Sequence, residues 1–248
     1  MKKQASIINI KNLKSVAKYW KKSSPFPNII IDNFFSKNIA LSLEREFPKF
    51  TSSVWHKYNN KIEVKKVCND WNEFPKITYQ VFSYLNSKKF TEMLTKLLMK
   101  NKVLFSDPGL NGGGWHIHQR GGKLNTHLDY SLHPKLALQR KINLIVYLNS
   151  NWKKEWGGSL GFWGNKSKNK PGSIEKEIYP KFNRAVLFDT TCNSWHGLPD
   201  PIRCPRSEFR KSIAVYYLCN PPKKIDDRGK ALFAPNKNPR VNVTSINL

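Results

Sequence analysis

In Asn125-Thr126-His127-Leu128-Asp129-Tyr130 a histidine and an aspartate stand two residues apart. Side chains of an extended strand alternate faces, so His127 and Asp129 project to the same side and can reach one metal ion. A third ligand is available at His196, in Asn193-Ser194-Trp195-His196-Gly197. Two imidazoles and one carboxylate on one face of an octahedron are the ligand set that holds non-haem iron(II) and leaves coordination positions open. A histidine and aspartate at this spacing are common by chance, so the weight of the motif rests on what accompanies it.

The accompaniment is an arginine. It stands fourteen residues after His196, as Arg210 in Phe209-Arg210-Lys211-Ser212-Ile213-Ala214-Val215-Tyr216-Tyr217. Read as a strand, it places Arg210, Ser212, Ala214 and Tyr216 on one face. An inward guanidinium at the mouth of a barrel is an unpaired buried charge unless an anion meets it. A dicarboxylate suits it, because guanidinium binds carboxylate through two parallel hydrogen bonds. Ser212 lies on the same face and could donate to the same group.

These residues need a β scaffold, and the chain supplies one from Val103 onward. Short runs rich in β-branched and aromatic residues alternate with Gly, Pro, Asn and Asp. They are 103–106, 115–119, 124–129, 141–148, 159–163, 174–179, 185–189, 194–198 and 209–218. Eight or nine such strands after a helical prelude imply a mainly β fold with flanking helices, a jelly roll (double-stranded β-helix, cupin-like). Before it, Asn28–Phe35 reads as a strand, and Ser36 as the N-cap of a helix ending at Phe47 before Pro48. Helices are expected near 76–86 and 90–100, whereas 51–74 is polar and carries no assignable pattern.

The same region resembles a known family. Gln139-Arg140-Lys141-Ile142-Asn143-Leu144-Ile145-Val146-Tyr147-Leu148-Asn149, then Trp152, then Gly157-Gly158-Ser159-Leu160, is similar to the Fe(II)/2-oxoglutarate-dependent dioxygenases of the prolyl 4-hydroxylase-like type. Phe188-Asp189, His196 and Arg210 follow in the order that family uses. The resemblance covers about residues 103–220, and 28–100 more weakly. It implies that His127, Asp129 and His196 are the catalytic iron ligands and that Arg210 binds the distal carboxylate of 2-oxoglutarate. Tyr147 matches a tyrosine whose hydroxyl shares that carboxylate. It further implies Fe(II), 2-oxoglutarate and O2 as cofactor and co-substrates, with ascorbate as a candidate reductant and release of succinate and CO2. The expected reaction is hydroxylation of a C–H bond on a protein or peptide side chain, with proline first. Alternatives are oxidation of a small molecule, sugar or nucleic acid.

Composition weighs on the alternatives. The net charge of +26 suits a polyanion partner, and a non-enzymatic basic nucleic-acid-binding protein is the reading from another class. Most of the basic residues are lysines, however, and base and phosphate recognition leans on arginine's planar fork. Nucleic acid is therefore the less favoured partner. No run approaches the roughly 20 apolar residues of a membrane span. The lysine-interrupted N-terminus lacks the apolar stretch of a signal peptide, so a cytoplasmic protein is expected. The four cysteines show neither the density of a disulfide framework nor zinc-type pairing, and read as free thiols.

The expected organisation is a basic amphipathic helix over 1–24, one oxygenase domain over 25–220 with its β core at about 103–220, and a tail over 221–248. Residues 1–24 carry seven lysines and no acid. Ile10, Leu13, Ala17 and Trp20 form one stripe, expected to pack on the domain behind it. His116 and His118 share a strand face and could line a pocket without touching metal. His133 is expected to be a solvated loop histidine. Trp152, Trp156 and Trp163 surround the Gly-Gly turn and are either core or an exposed platform.

Overall fold

The computed structural model describes residues 6–167, 170–225 and 228–234. Residues 1–5 and the part of the tail beyond 234 lie outside them. The fold is the expected jelly roll: two antiparallel sheets with helices on one outer face.

The helices are α1 (Ile10–Ala17), α2 (Lys37–Glu46), α3 (Lys76–Leu85) and α4 (Lys88–Leu98). The strands are β1 (Asn28–Ile31), β2 (His56–Asn59), β3 (Glu63–Cys68), β4 (Phe105–Ser106), β5 (Gly114–His118), β6 (Lys123–Leu124), β7 (His127–Leu128), β8 (Gln139–Tyr147), β9 (Leu160–Ser167), β10 (Lys170–Ile178), β11 (Ala185–Asp189), β12 (His196–Gly197), β13 (Arg210–Cys219) and β14 (Leu232–Phe233). The larger sheet runs β1-β11-β8-β13-β5-β3-β2, with β4 on β13 and β6 on β3. The smaller runs β10-β9-β12-β7-β14.

Alternation along the central strands sorts core from site. On β13 Ile213, Val215 and Tyr217, on β8 Ile142, Leu144 and Val146, and on β5 Trp115 and Ile117 join one buried cluster with Leu13, Leu43, Phe82 and Leu94 of the helices. The opposite face of the same strands turns toward the smaller sheet and carries His116, His118, Arg210 and Ser212. The stripe of α1 packs as expected, with Leu13, Ala17 and Trp20 buried in that cluster.

Sequence and structure part in four places. The unassigned segment 51–74 contains the hairpin β2–β3, whose second strand pairs with β5. The run 124–129 is not one strand: β6 pairs with β3 of the larger sheet, and β7 pairs with β12 of the smaller. It therefore crosses between sheets, which no periodicity within six residues could reveal. Ser36 stands at the N-cap of α2 but makes no side-chain capping bond. Finally, the sheets draw on strands outside 103–220, at β1, β2, β3 and β14.

Candidate metal and co-substrate site

The two histidines are direct cross-strand partners, His127 on β7 facing His196 on β12, with ring centroids 4.3 Å apart. Asp129 follows β7. Its Oδ1 lies 3.7 Å from His127 Nε2, and its Oδ2 lies 3.8 Å from His196 Nε2. One donor atom from each of the three falls within 4.8 Å of the others, and all three residues are buried.

The same local device orients both rings. His127 Nδ1 is 2.9 Å from the carbonyl of Asn125, and His196 Nδ1 is 2.8 Å from that of Ser194. A carbonyl only accepts, so each Nδ1 carries the proton and each Nε2 presents its lone pair to the shared space. Burial, then His127, pushes the His196 pKa down to about 4, which keeps that ring neutral. Burial alone would raise the Asp129 carboxyl. His196, His127 and Arg140 together outweigh it and hold the group below the usual carboxylate range. Its Oδ2 is buried without a hydrogen-bond partner. Two directed imidazole lone pairs and an unsatisfied anionic oxygen fit a divalent metal with nitrogen and oxygen preferences.

Arg210 is 4% exposed and has no carboxylate within ion-pair distance among the described residues. Its Nε donates to the Gly158 carbonyl at 2.7 Å, and its guanidinium lies 4.8 Å from the centre of the Tyr147 ring. Gly158 has φ +76°, and a Cβ there would sit 2.9 Å from Arg210 Cδ. The Gly-Gly turn thus admits the arginine stem where a larger residue would not. Ser212 is buried two residues along, between Tyr147 of β8 and His116 of β5.

The triad, Arg210, Ser212, His116 and His118 line one cavity of about 230 Å³. The Tyr147 hydroxyl is sealed from solvent without a hydrogen-bond partner of good geometry, and Tyr147 is not among the lining residues. His116 Nε2 lies 3.4 Å from the Gly113 carbonyl, and burial pushes its pKa to about 3. His133 is not solvated as expected: it is buried against Asp107 at 3.5 Å and accepts backbone N–H groups of Lys135 and Leu136. Trp152 and Trp163 are buried core residues, with Trp156 half-buried edge-on to Trp152.

Three contributors were not singled out by sequence reasoning. Arg140 is buried with Nη1 3.7 Å from Asp129 Oδ1. Its guanidinium is sandwiched between Tyr130 and Tyr216 at 3.4 and 3.6 Å from the ring centres, and Nη2 donates to the Asn111 carbonyl. Alternation from Tyr147 would turn Arg140 outward. The register slips between Tyr217↔Ile142 and Leu218↔Arg140, skipping Lys141, and this bulge turns Arg140 inward. The hairpin β2–β3 brings Tyr58, Glu63 and Lys65 to the cavity, and the C-terminal strand brings Phe233.

Residues 113–219 match the profile of the 2OG-Fe(II) oxygenase superfamily. A 91-residue stretch is 30% identical to "Prolyl 3-hydroxylase OGFOD1" of Xenopus laevis, covering 35% of this chain and 17% of that protein. The match thus spans about a sixth of the relative's length. The fold superposes on a Pseudomonas putida prolyl-4-hydroxylase with TM-score 0.59 and 13% identity, over 85% of this chain and 100% of that one. It superposes equally, at TM-score 0.59 and 18% identity, on a Trichoplax adhaerens prolyl hydroxylase in complex with a hypoxia inducible factor peptide fragment, over 84% and 91%. The matching profile spans Arg210, Asp129 and both histidines, so residues 113–219 match the 2OG-Fe(II) oxygenase superfamily, whose cofactor and co-substrates are Fe(II), 2-oxoglutarate and O2, on a fold shared with prolyl hydroxylases.

Proposed function

We propose that this protein is a 2-oxoglutarate-dependent hydroxylase of a protein or peptide side chain, with a prolyl residue as first candidate. In this reading His127, Asp129 and His196 hold iron(II), and Arg210 anchors the distal carboxylate of 2-oxoglutarate, with Ser212 beside it. The observation that carries it is the shared cavity: three convergent metal donors and a buried, carboxylate-free guanidinium open into the same space.

The bound iron would supply the oxidising chemistry that couples loss of CO2 from 2-oxoglutarate, leaving succinate, to hydroxylation of a C–H bond. The chain's own residues do the rest. Asn125 and Ser194 carbonyls fix the tautomer of both histidines. Arg210 draws a dicarboxylate in and, through its bond to Gly158, presents it in one orientation. The aromatic sandwich around Arg140 keeps that cation beside Asp129 and excludes water from the carboxylate. Support for a peptide substrate comes from the relatives, among them the Trichoplax adhaerens enzyme whose complex contains a peptide fragment.

The test is incubation of the protein with iron(II), ascorbate, 2-oxoglutarate and a panel of proline-containing peptides, with succinate and peptide mass followed together. Gain of one oxygen on a prolyl residue, matched by succinate, is expected. Succinate formed while no peptide in a proline-rich panel is modified, but a small molecule or nucleic acid is, would overturn the substrate class.

A further inference from the structure

The back of the larger sheet gathers cations that no acid answers among the described residues. Lys57 of β2 pairs directly with Lys66 of β3, Lys66 with Ile117 of β5, and Ile117 with Lys211 of β13. Directly paired residues share a sheet face, so the three lysines form one row across four strands, roughly 14 Å long at the usual strand spacing. Ile117 belongs to the helix-side cluster, whereas its neighbours His116 and His118 line the metal cavity. The row therefore faces away from that cavity. Like charges directly opposite, as Lys57 and Lys66 are, destabilise a sheet unless something answers them.

Three surface hollows adjoin around the row. One is bordered by Lys57 and Lys66; a second, sharing Phe50 with it, by Lys49 and Lys211; a third, sharing Gln119, by Arg120 and Arg206. No acid borders any of them. None of these six cations makes an ion pair among the described residues, whereas nearby Lys65 does, with Glu63 at 3.0 Å. Lys66 donates to the Phe50 carbonyl at 2.6 Å, and Arg120 to the carbonyls of Arg203 and Cys204. Those bonds fix the side chains and leave their charge uncompensated. Burial, then the Lys57 charge, lowers the Lys66 pKa accordingly.

What the face lacks identifies the class of anion. Protein partners gain most of their affinity from a few anchors, often aromatic, in desolvated pockets. None of the exposed large apolar side chains, Tyr19, Tyr79, Val103, Phe105 and Leu136, borders these hollows. The Phe50 ring is already engaged, with Phe209 stacked on it at 4.7 Å and Lys66 Nζ 3.6 Å from its centre. Charge without an apolar anchor suits a phosphate backbone, whose contacts position a nucleic acid and carry no sequence information. Lysine meets a phosphate as a point charge, so the scarcity of arginine weighs against base reading and not against this contact. The net charge of +26 adds long-range attraction for the same partner.

We infer that this back face is a docking surface for nucleic acid, held through its phosphate backbone without reading of base sequence. Nucleic acid is here a docking partner and not the group that is hydroxylated, so the inference stands apart from the proposed function.

The experiment follows binding of a fluorescent oligothymidylate strand to the full chain by anisotropy as salt is raised. Lys49→Gln, Lys57→Gln and Arg206→Gln are combined in one variant, all three side chains being exposed. A control variant combines Lys11→Gln, Lys14→Gln and Lys18→Gln on the exposed side of α1, which removes the same charge elsewhere. In the first variant the slope of log affinity against log salt should become shallower by about 2, since each single-strand phosphate contact contributes about 0.7. The control should keep nearly the full slope, and Lys57→Gln alone should show part of the change. Far-ultraviolet circular dichroism should be the same for all of them. Equal losses in the two triple variants would show that net charge alone attracts the strand, and would overturn the inference. So would a protein that binds no oligothymidylate even at low salt. Polyglutamate bound as tightly as oligothymidylate, and lost in the same variant, would overturn it in favour of an acidic polypeptide.

Discussion

Phe233 lies against His127, ring centres 5.1 Å apart and planes 24° from parallel, so the C-terminal segment forms a wall of the metal site. Pairing of Leu232 with Leu128 and Phe233 with His127 fixes this contact, and the Ala234 N–H donates to the Thr126 carbonyl. Contacts that orient a ligating histidine typically change metal affinity 10–100-fold when lost. Phe233→Ala should therefore weaken iron(II) or cobalt(II) binding by about ten-fold, measured by metal titration, while far-ultraviolet circular dichroism stays unchanged.

Arg210 and Gly158 should fail together. Arg210→Ala removes the cation expected to hold the distal carboxylate and should raise the 2-oxoglutarate requirement by about 100-fold. Iron affinity in that variant should be nearly unaltered. Gly158→Ala places a methyl group against Arg210 Cδ at a positive φ and should produce the same selective loss. An unchanged 2-oxoglutarate requirement in Arg210→Ala would remove that residue from its role.

Arg140 is a different kind of neighbour, since it sits beside a metal ligand. Replacing it with Met removes the cation next to Asp129 Oδ1 and leaves a buried carboxylate less compensated. Losing one partner of a buried pair costs about 3–5 kcal/mol. A bound metal restores positive charge, so Arg140→Met should lower the melting temperature more in metal-free than in metal-loaded protein. Equal shifts in the two forms would show that its role is packing alone.

Asp32 clamps the loop after β1 to Arg184, with Oδ1 2.6 Å from Nε and Oδ2 3.0 Å from Nη2. The Arg184 hydrogen bond leads the effects that lower its pKa. A depressed folded-state pKa contributes stability above the unfolded value of roughly 3.9, and that stability is lost as pH falls through the folded value. The pair is 38% exposed on the aspartate side, so screening limits it to about 0.5–1 kcal/mol. Asp32→Asn should cost that amount in denaturant unfolding at pH 7, and the difference should vanish as pH falls below the lowered folded-state value.

The strands that build the centre of the larger sheet were legible because burial on both faces wrote near-continuous apolar runs, as in 141–148 and 209–218. The hairpin β2–β3 was not, because β2 is an exposed edge strand and Glu63-Val64-Lys65-Lys66-Val67 beside it is half-buried, where long charged side chains replace the apolar signal. The metal donors were legible as a spacing, His127 to Asp129, joined to one distant histidine. Arg140 was not, because a bulge between β8 and β13 inverts the face on which it falls. Phe233 was hidden for another reason: a two-residue strand owes its place entirely to the edge it pairs with. The match between Arg210 and the Gly-Gly turn was visible only as two separate motifs until the fold placed Gly158 against the arginine stem.

The most direct test of the account is anaerobic titration of the purified protein with iron(II) and 2-oxoglutarate, watching for the weak visible charge-transfer band of a keto acid chelating ferrous iron. The account predicts a saturable band in the unaltered protein that is lost in His196→Ala and in Asp129→Ala. A well-folded protein that gives no band, or a band that survives both substitutions, would contradict the assignment of His127, Asp129 and His196 as the iron site.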